Sequence, residues 1–227
     1  FATKDGLMKK TTLESYSRPR ANGIIALGLR EGDRLIRVTL TDGNSQMLVA
    51  SYNGKVVRFP EDTVRPMGRT ATGVRAIKLD EDGKDRVVGM ICVEEGSQDT
   101  VLVISEKGYG KRTLLDDENG EPIYRITNRG GKGVKTMNVT DKTGNLIGME
   151  AVNDDQDLML ITKSGTAIRM AMNAISVLGR ATQGVKLIEL QKRNDTLMFG
   201  CTVPKEEVEE QTAEELTATE ETSTAEE

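Results

Sequence analysis

The chain has 227 residues, 37% of them hydrophobic and 30% charged, with three Phe, four Tyr and no Trp. That is enough apolar side chain to core one large domain or two small ones. The formal charge is −5 and histidine is absent, which excludes Ser-His and Cys-His nucleophiles, His-ligated zinc and imidazole acid–base chemistry. No apolar run approaches the ~18 residues that a membrane-spanning helix requires.

The chain starts at Phe1 without a basic-then-apolar leader and reads as a piece of a longer protein. From there a pattern recurs: a short apolar strand, a turn ending in Gly, a second strand carrying basic residues, a loop, and a second Gly followed by a third strand. The copies are FATKDG (1–6) to NGIIALGL (22–29), MLVASYNG (47–54) to TGVRAIKL (72–79), VLVISEKG (101–108) to KGVKTMNV (132–139), and DLMLITKSG (157–165) to QGVKLIEL (183–190). The first Gly recurs at 6, 54, 108 and 165 and the second at 23, 73, 133 and 184, a period near ~50 residues that signals a repeat architecture.

Turns rich in Asp, Gly and Asn follow each copy and lead into a fourth strand: RLIRVTL (34–40), RVVGMICV (86–93), LIGMEAV (146–152) and TLMFGCTV (196–203). Asn53-Gly54, Lys107-Gly108 and Ser164-Gly165 are hairpin signals, because Gly adopts the positive φ of tight turns without steric cost. Helical periodicity is missing from 1–203, and the strands are rich in Val, Ile, Leu and Met. The expected fold is all-β, a propeller-like ring or spiral of four-stranded blades. The third copy has the longest loop, with an acidic, turn-like insert around Asp116–Pro122.

Charge divides unevenly along the chain. Residues 204–227 hold ten Glu against one Lys, a net −9, and few bulky apolar side chains, so this tail is expected to be disordered. Residues 1–203 then form the folded domain with 30 basic and 26 acidic side chains, a net +4, which suits an acidic partner.

The basic residues keep fixed places in the repeat. Four positions after the first Gly stand Lys10, Arg58, Arg112 and Arg169. Four before the second Gly stand Arg69, Arg129 and Arg180, with Pro19-Arg20 shifting the pattern by one in the first copy; Lys132 adds charge in the third loop. Two after the second Gly stand Arg75, Lys135 and Lys186, but Ile25 in the first copy. Equivalent positions on successive blades make a belt. A solvated strand position favouring long side chains would give the same columns. Seven aromatics and no Trp offer little base stacking for single strands, whereas Arg and Lys beside Gly-rich backbone suit phosphate contacts to a duplex, which position and bend it without reading sequence.

Other motifs carry little. Asp80–Asp85 (DEDGKD) lacks the Gly placement and bidentate Glu of a calcium loop. No phosphate-binding P-loop or dinucleotide fingerprint is present. Cys92 and Cys201 sit in apolar stretches without a C-x-x-C pair and read as buried free thiols. No catalytic residue, metal or cofactor is expected within the chain.

These residues resemble the C-terminal DNA-wrapping domain of DNA gyrase A, part of a bacterial type IIA topoisomerase. The likeness covers essentially all of 1–203 and is most specific in GKVVRF (54–59), VRPMGRTATGVRAIKL (64–79), EKGYGKRT (106–113) and ISVLGRATQGVKLI (175–188). It implies a six-bladed β-pinwheel of which the last four blades are present and the first two missing. The family's Q-[RK]-R-G-G-[RK]-G box belongs to the first blade; its only echo here, Thr127–Gly133 (TNRGGKG), lacks the Gln and reads as the equivalent loop of another blade. The resemblance further implies wrapping of duplex DNA that serves ATP-dependent negative supercoiling, partnership with gyrase B in a heterotetramer, ATP and Mg in the parent enzyme, a monomeric fragment, and a cytoplasmic, nucleoid-associated location. The related C-terminal domain of topoisomerase IV and a protein-interaction propeller are the competing readings.

Overall fold

A computed structural model describes residues 1–94, 96–190 and 195–205. The tail expected to be disordered lies outside the described residues, apart from Pro204 and Lys205. Among the described residues there is no α-helix. These residues form fifteen strands and three short 3-10 turns at Leu13–Tyr16, Glu61–Thr63 and Met172–Ala174. Among them no helix is long and apolar enough to cross a membrane.

The first copy contributes β1 (Ala2–Thr3), β2 (Leu7–Met8) and β3 (Leu35–Arg37). The second contributes β4 (Gln46–Ser51), β5 (Lys55–Pro60), β6 (Val74–Arg75) and β7 (Val87–Val93). The third gives β8 (Thr100–Ser105), β9 (Tyr109–Leu114), β10 (Val134–Lys135) and β11 (Leu146–Val152), and the fourth β12 (Gln156–Thr162), β13 (Ala167–Ala171), β14 (Val185–Lys186) and β15 (Leu197–Pro204). They build four antiparallel sheets with strand orders β3-β1-β2-β6, β10-β5-β4-β7, β11-β8-β9-β14 and β13-β12-β15. The sequence repeat is therefore not the sheet. The third strand of each copy leaves its own copy and pairs with the second strand of the preceding one, Val74 opposite Met8, Val134 opposite Val56 and Val185 opposite Gly110.

The second Gly makes this crossing possible. A Cβ on Gly73 would stand 2.4 Å from the Met8 carbonyl oxygen, on Gly133 2.4 Å from that of Val56, and on Gly184 2.6 Å from that of Gly110. All three also hold positive φ, +97°, +71° and +76°, which L side chains rarely adopt. The exception is Gly23, whose Cβ would meet nothing within 4 Å. NGIIALGL has the pattern of a strand, yet residues 22–29 form none, and Ile25 and Leu29 are exposed. At the other end β13 has β12 as its only strand partner among the described residues, and a Cβ on Gly165 would also meet open space.

Successive side chains on a strand point to opposite faces, and here both faces are buried. Met47 and Val49 of β4 pack with Ala2, Met8, Val57 and Phe59 between the first and second sheets. Leu48 and Ala50 of the same strand pack with Val101, Val103, Tyr109 and Met149 between the second and third. The third interface repeats this through Leu102, Ile104, Leu158 and Leu160. The continuous apolar runs MLVAS and VLVIS follow from that double burial. The fourth strands converge: β3 packs on β7, β7 on β11 and β11 on β15, around a cavity of about 480 Å³ lined by Leu35, Val88, Ile147 and Met198. The crossing strands β6, β10 and β14 therefore lie on the outer rim. Cys92 and Cys201 are free thiols, half-buried rather than fully buried.

Candidate nucleic-acid interface

The three basic columns separate in space. The first column faces inward and sideways, and its charges are occupied by protein groups. Arg58, 5% exposed, donates from Nε to Gln46 Oε1 at 2.6 Å and from Nη1 to the Leu115 carbonyl at 3.0 Å and Asp116 Oδ1 at 2.9 Å. Arg112, 7% exposed, donates to the Ile175 carbonyl at 3.0 Å and Asp154 at 2.5 Å. Lys10 pairs with Glu61 at 3.2 Å, and Arg169 with Asp157 at 2.8 Å. The backbone of the same column joins copies, since Met67, Thr127 and Leu178 donate their N–H to the carbonyls of Lys10, Arg58 and Arg112. Arg58 and Arg112 therefore act as struts inside strands covered on both faces, whereas Lys10 is half-buried and Arg169 stands exposed on β13.

The second and third columns meet at the rim. Each second-column arginine donates Nη1 to the backbone carbonyl of the third-column residue one copy earlier: Arg69 to Ile25 at 3.4 Å, Arg129 to Arg75 at 3.2 Å, and Arg180 to Lys135 at 2.7 Å. Arg129 also donates Nε to the Thr63 carbonyl at 3.0 Å. Two of these latches bring a guanidinium to the backbone of a second basic residue, Arg129 to Arg75 and Arg180 to Lys135. Arg75 and Lys135 stand exposed on the rim strands β6 and β10. Among the described residues no carboxylate lies within ion-pair distance of these four side chains. Lys186, exposed on β14, instead pairs with Glu189 at 2.6 Å, which holds its ammonium pKa above the ordinary value. Arg20 and Lys132 are exposed, and Lys132 with Arg125 and Arg129 rims a cavity of about 470 Å³ beneath the third loop that no carboxylate lines.

Charge that sequence reading missed lies underneath the loops. Lys9 and Lys111, three residues after the first Gly of copies one and three, are 1% and 0% exposed. Lys9 Nζ donates to the carbonyls of Gly68 at 3.1 Å and Arg69 at 2.5 Å. Lys111 Nζ donates to those of Gly179 at 2.5 Å and Arg180 at 2.6 Å, and to Thr182 Oγ1 at 3.1 Å. Burial, and then the facing Arg180 guanidinium, lower the Lys111 pKa to about 8; burial and Arg69 lower that of Lys9. The signal was a Lys-basic pair at 9–10 and 111–112, where copies two and four have Val57 and Ile168 in first place.

A family described as the DNA gyrase C-terminal domain, a beta-propeller, matches residues 1–42, 46–94, 99–153 and 156–199, one match for each copy. The chain belongs to the DNA gyrase C-terminal domain family. The DNA gyrase A protein of Staphylococcus aureus strain NCTC 8325 is 44% identical over 212 residues, 93% of this chain and 23% of that protein; the same protein of strain MRSA252 is 44% identical over 211 residues, again 93% and 23%. The chain thus spans about a quarter of the curated relatives it matches. A solved C-terminal domain of DNA gyrase A superposes with a TM-score of 0.74 at 24% identity, covering 88% of this chain and 64% of that one. One of DNA topoisomerase IV gives 0.81 at 22%, covering 96% and 65%. At such identities both likenesses concern the fold alone; the family match and the Staphylococcus identity are to DNA gyrase.

Proposed function

We propose that the chain binds duplex DNA without sequence preference and wraps it around the rim, as part of the gyrase A protein of a type IIA topoisomerase. The observation that carries this is the latch between copies, which brings the half-buried Arg129 and Arg180 to the backbone of the exposed Arg75 and Lys135 on the rim, with no neutralising carboxylate among the described residues. Cations gathered on one rim without carboxylates favour an anionic partner. Equivalent latches on successive sheets suit a polyanion that passes from one sheet to the next, and their arginines and lysines address phosphate rather than base edges. The scarcity of exposed aromatics argues against a single-strand platform.

Bending a duplex costs several kcal/mol per few tens of base pairs, so many modest contacts must act together. In the parent enzyme, partnership with gyrase B and the use of ATP and Mg belong to the same proposal; the role of this chain is to hold DNA. Fluorescence anisotropy on a linear duplex tests it. Affinity should fall steeply with salt, and charge reversal at Arg75, Arg129, Lys135 and Arg180 should abolish binding. Salt-insensitive or absent binding at low ionic strength, or unchanged affinity in the reversed variant, would sink the reading and favour a protein-interaction propeller.

A further inference from the structure

Why does a lysine lie buried beneath two of the rim loops? Each loop is a β-turn, closed by Ala71 N–H donating to the Gly68 carbonyl at 3.1 Å and by Thr182 N–H donating to the Gly179 carbonyl at 3.4 Å. In both, the lysine draws two successive carbonyls inward, those of Gly68 and Arg69 or of Gly179 and Arg180. A trans peptide is planar, with its N–H opposed to its C=O, and no peptide here is cis. The N–H groups of Arg69 and Thr70, and of Arg180 and Ala181, are thereby turned away from the core. None of the four donates to an acceptor among the described residues, and Thr70 and Ala181 are exposed.

We propose that Lys9 and Lys111 are positioning residues that create two phosphate-binding turns, in which the paired outward N–H groups of residues 69–70 and 180–181 hold a phosphate oxygen beside the Arg69 and Arg180 side chains. The inference rests on the duplex-wrapping reading and deepens it. Consecutive backbone donors facing one way form an anion site without any side-chain charge, and the lysine beneath supplies the field that keeps them so. The third loop serves as an internal comparison. Val57 replaces the lysine, the loop sits over an open cavity, and its charge comes instead from the exposed Lys132.

The arrangement is sensitive to proton loss. An ammonium has three hydrogens for the three acceptors around Lys111; the neutral amine has two. The charged group facing Lys111 is Arg180 from the turn above, Val103 of β8 stands opposite it in register, and the nearby Tyr124 phenol is occupied with Thr136 at 2.7 Å. Lys9 is faced by Arg69 and by the Phe1 amino group.

The test uses the full chain, labelled with 15N, a linear duplex of mixed sequence and, separately, inorganic phosphate. Duplex should shift the amide signals of Arg69, Thr70, Arg180 and Ala181. Duplex affinity should fall about fivefold or more between about pH 7 and pH 9, as Lys111 loses its proton. Lys111→Met should bind about tenfold more weakly at pH 7, the loss of a hydrogen-bonded contact to a charged group, and should lose most of the pH response. Should that variant not fold, the wild-type pH series decides alone. Duplex binding that is independent of pH and leaves the four amides unmoved overturns the inference while leaving the wrapping reading intact. If no duplex binds, the wrapping reading fails. Saturable shifts of the same amides by phosphate would then uphold the anion sites, and unmoved amides would sink them.

Discussion

Replacing Gly133 by Ala tests the joint on which the whole rim depends. The new Cβ would lie 2.4 Å from the Val56 carbonyl oxygen, 2.7 Å from its carbon and 3.1 Å from the Val57 nitrogen. All three are backbone atoms of a paired strand, so no side chain can swing clear. The positive φ alone costs about 1–2 kcal/mol, and forcing packed strands apart adds about 1–3 kcal/mol, a total of about 2–5 kcal/mol. Gly23→Ala is the matched control, with φ +79° and nothing within 4 Å, so only the conformational cost of about 1–2 kcal/mol applies. Urea unfolding with an unchanged m-value measures both. Gly133→Ala should lose about 1–3 kcal/mol more than Gly23→Ala, and Gly184→Ala should side with the former. Equal losses at Gly133 and Gly23 would refute the claim that close backbone approach, rather than turn conformation, fixes the second glycine.

Arg112→Met should destabilise the fold by about 1–3 kcal/mol, since the Ile175 carbonyl loses its buried donor, yet leave duplex affinity within about twofold after correction for folded fraction. Lys135→Gln should do the reverse, with stability changed by less than about 0.5 kcal/mol and the slope of log affinity against log salt reduced by about 0.9; anisotropy and thermal melting report the two. Asp82 and Asp195 are held down to about 2 by hydrogen bonds, from Asn53 and from Ser164 first. A lowered carboxylate stabilises above its unfolded value near ~4 and loses that contribution as pH falls toward about 2. Asp195→Asn should therefore flatten acid unfolding across that window, and an unaltered acid transition would remove Asp195 from the account. Lys111 works in the opposite range: the folded protein releases its proton near about 8 while the unfolded chain holds it to about 10.5, so the stability of the wild type should rise between those values, and that of Lys111→Met should not.

Much of this was legible in the sequence because a repeat prints the same requirement several times. Four glycines at one place and four at another marked the turns, and apolar runs between them marked strands, whose burial on both faces the structure then showed. What the sequence could not show was which copy a strand would join. Local pattern points to a strand after Gly73 as it does after Gly23, whereas pairing, and so the strand itself, goes with the 2.4 Å approach to Met8, a contact far along the chain. The same limit separated the basic columns. Arg58 and Arg75 look alike in a row of letters, but one lies at the middle of a strand covered on both faces and the other on a rim strand of two residues. Lys9 and Lys111 escaped notice because lysines next to basic neighbours look like solvated surface. Only the inward carbonyls of the neighbouring copy give them a reason to be buried.

The exchange of third strands bears on how such a chain grows or shrinks. A cut made at the boundary of a sequence repeat always divides a sheet, leaving a strand without a host on one side and a host without its strand on the other. A cut that removes one whole period, wherever it begins, restores every joint it breaks, because the incoming third strand finds an equivalent second strand waiting. Only whole periods can then be added or removed without orphaning a strand, and each brings one rim latch, whose acceptor residue is basic in two of the three seen. On the duplex-wrapping proposal, the length of DNA the rim can hold would accordingly change in fixed steps, counted in repeats.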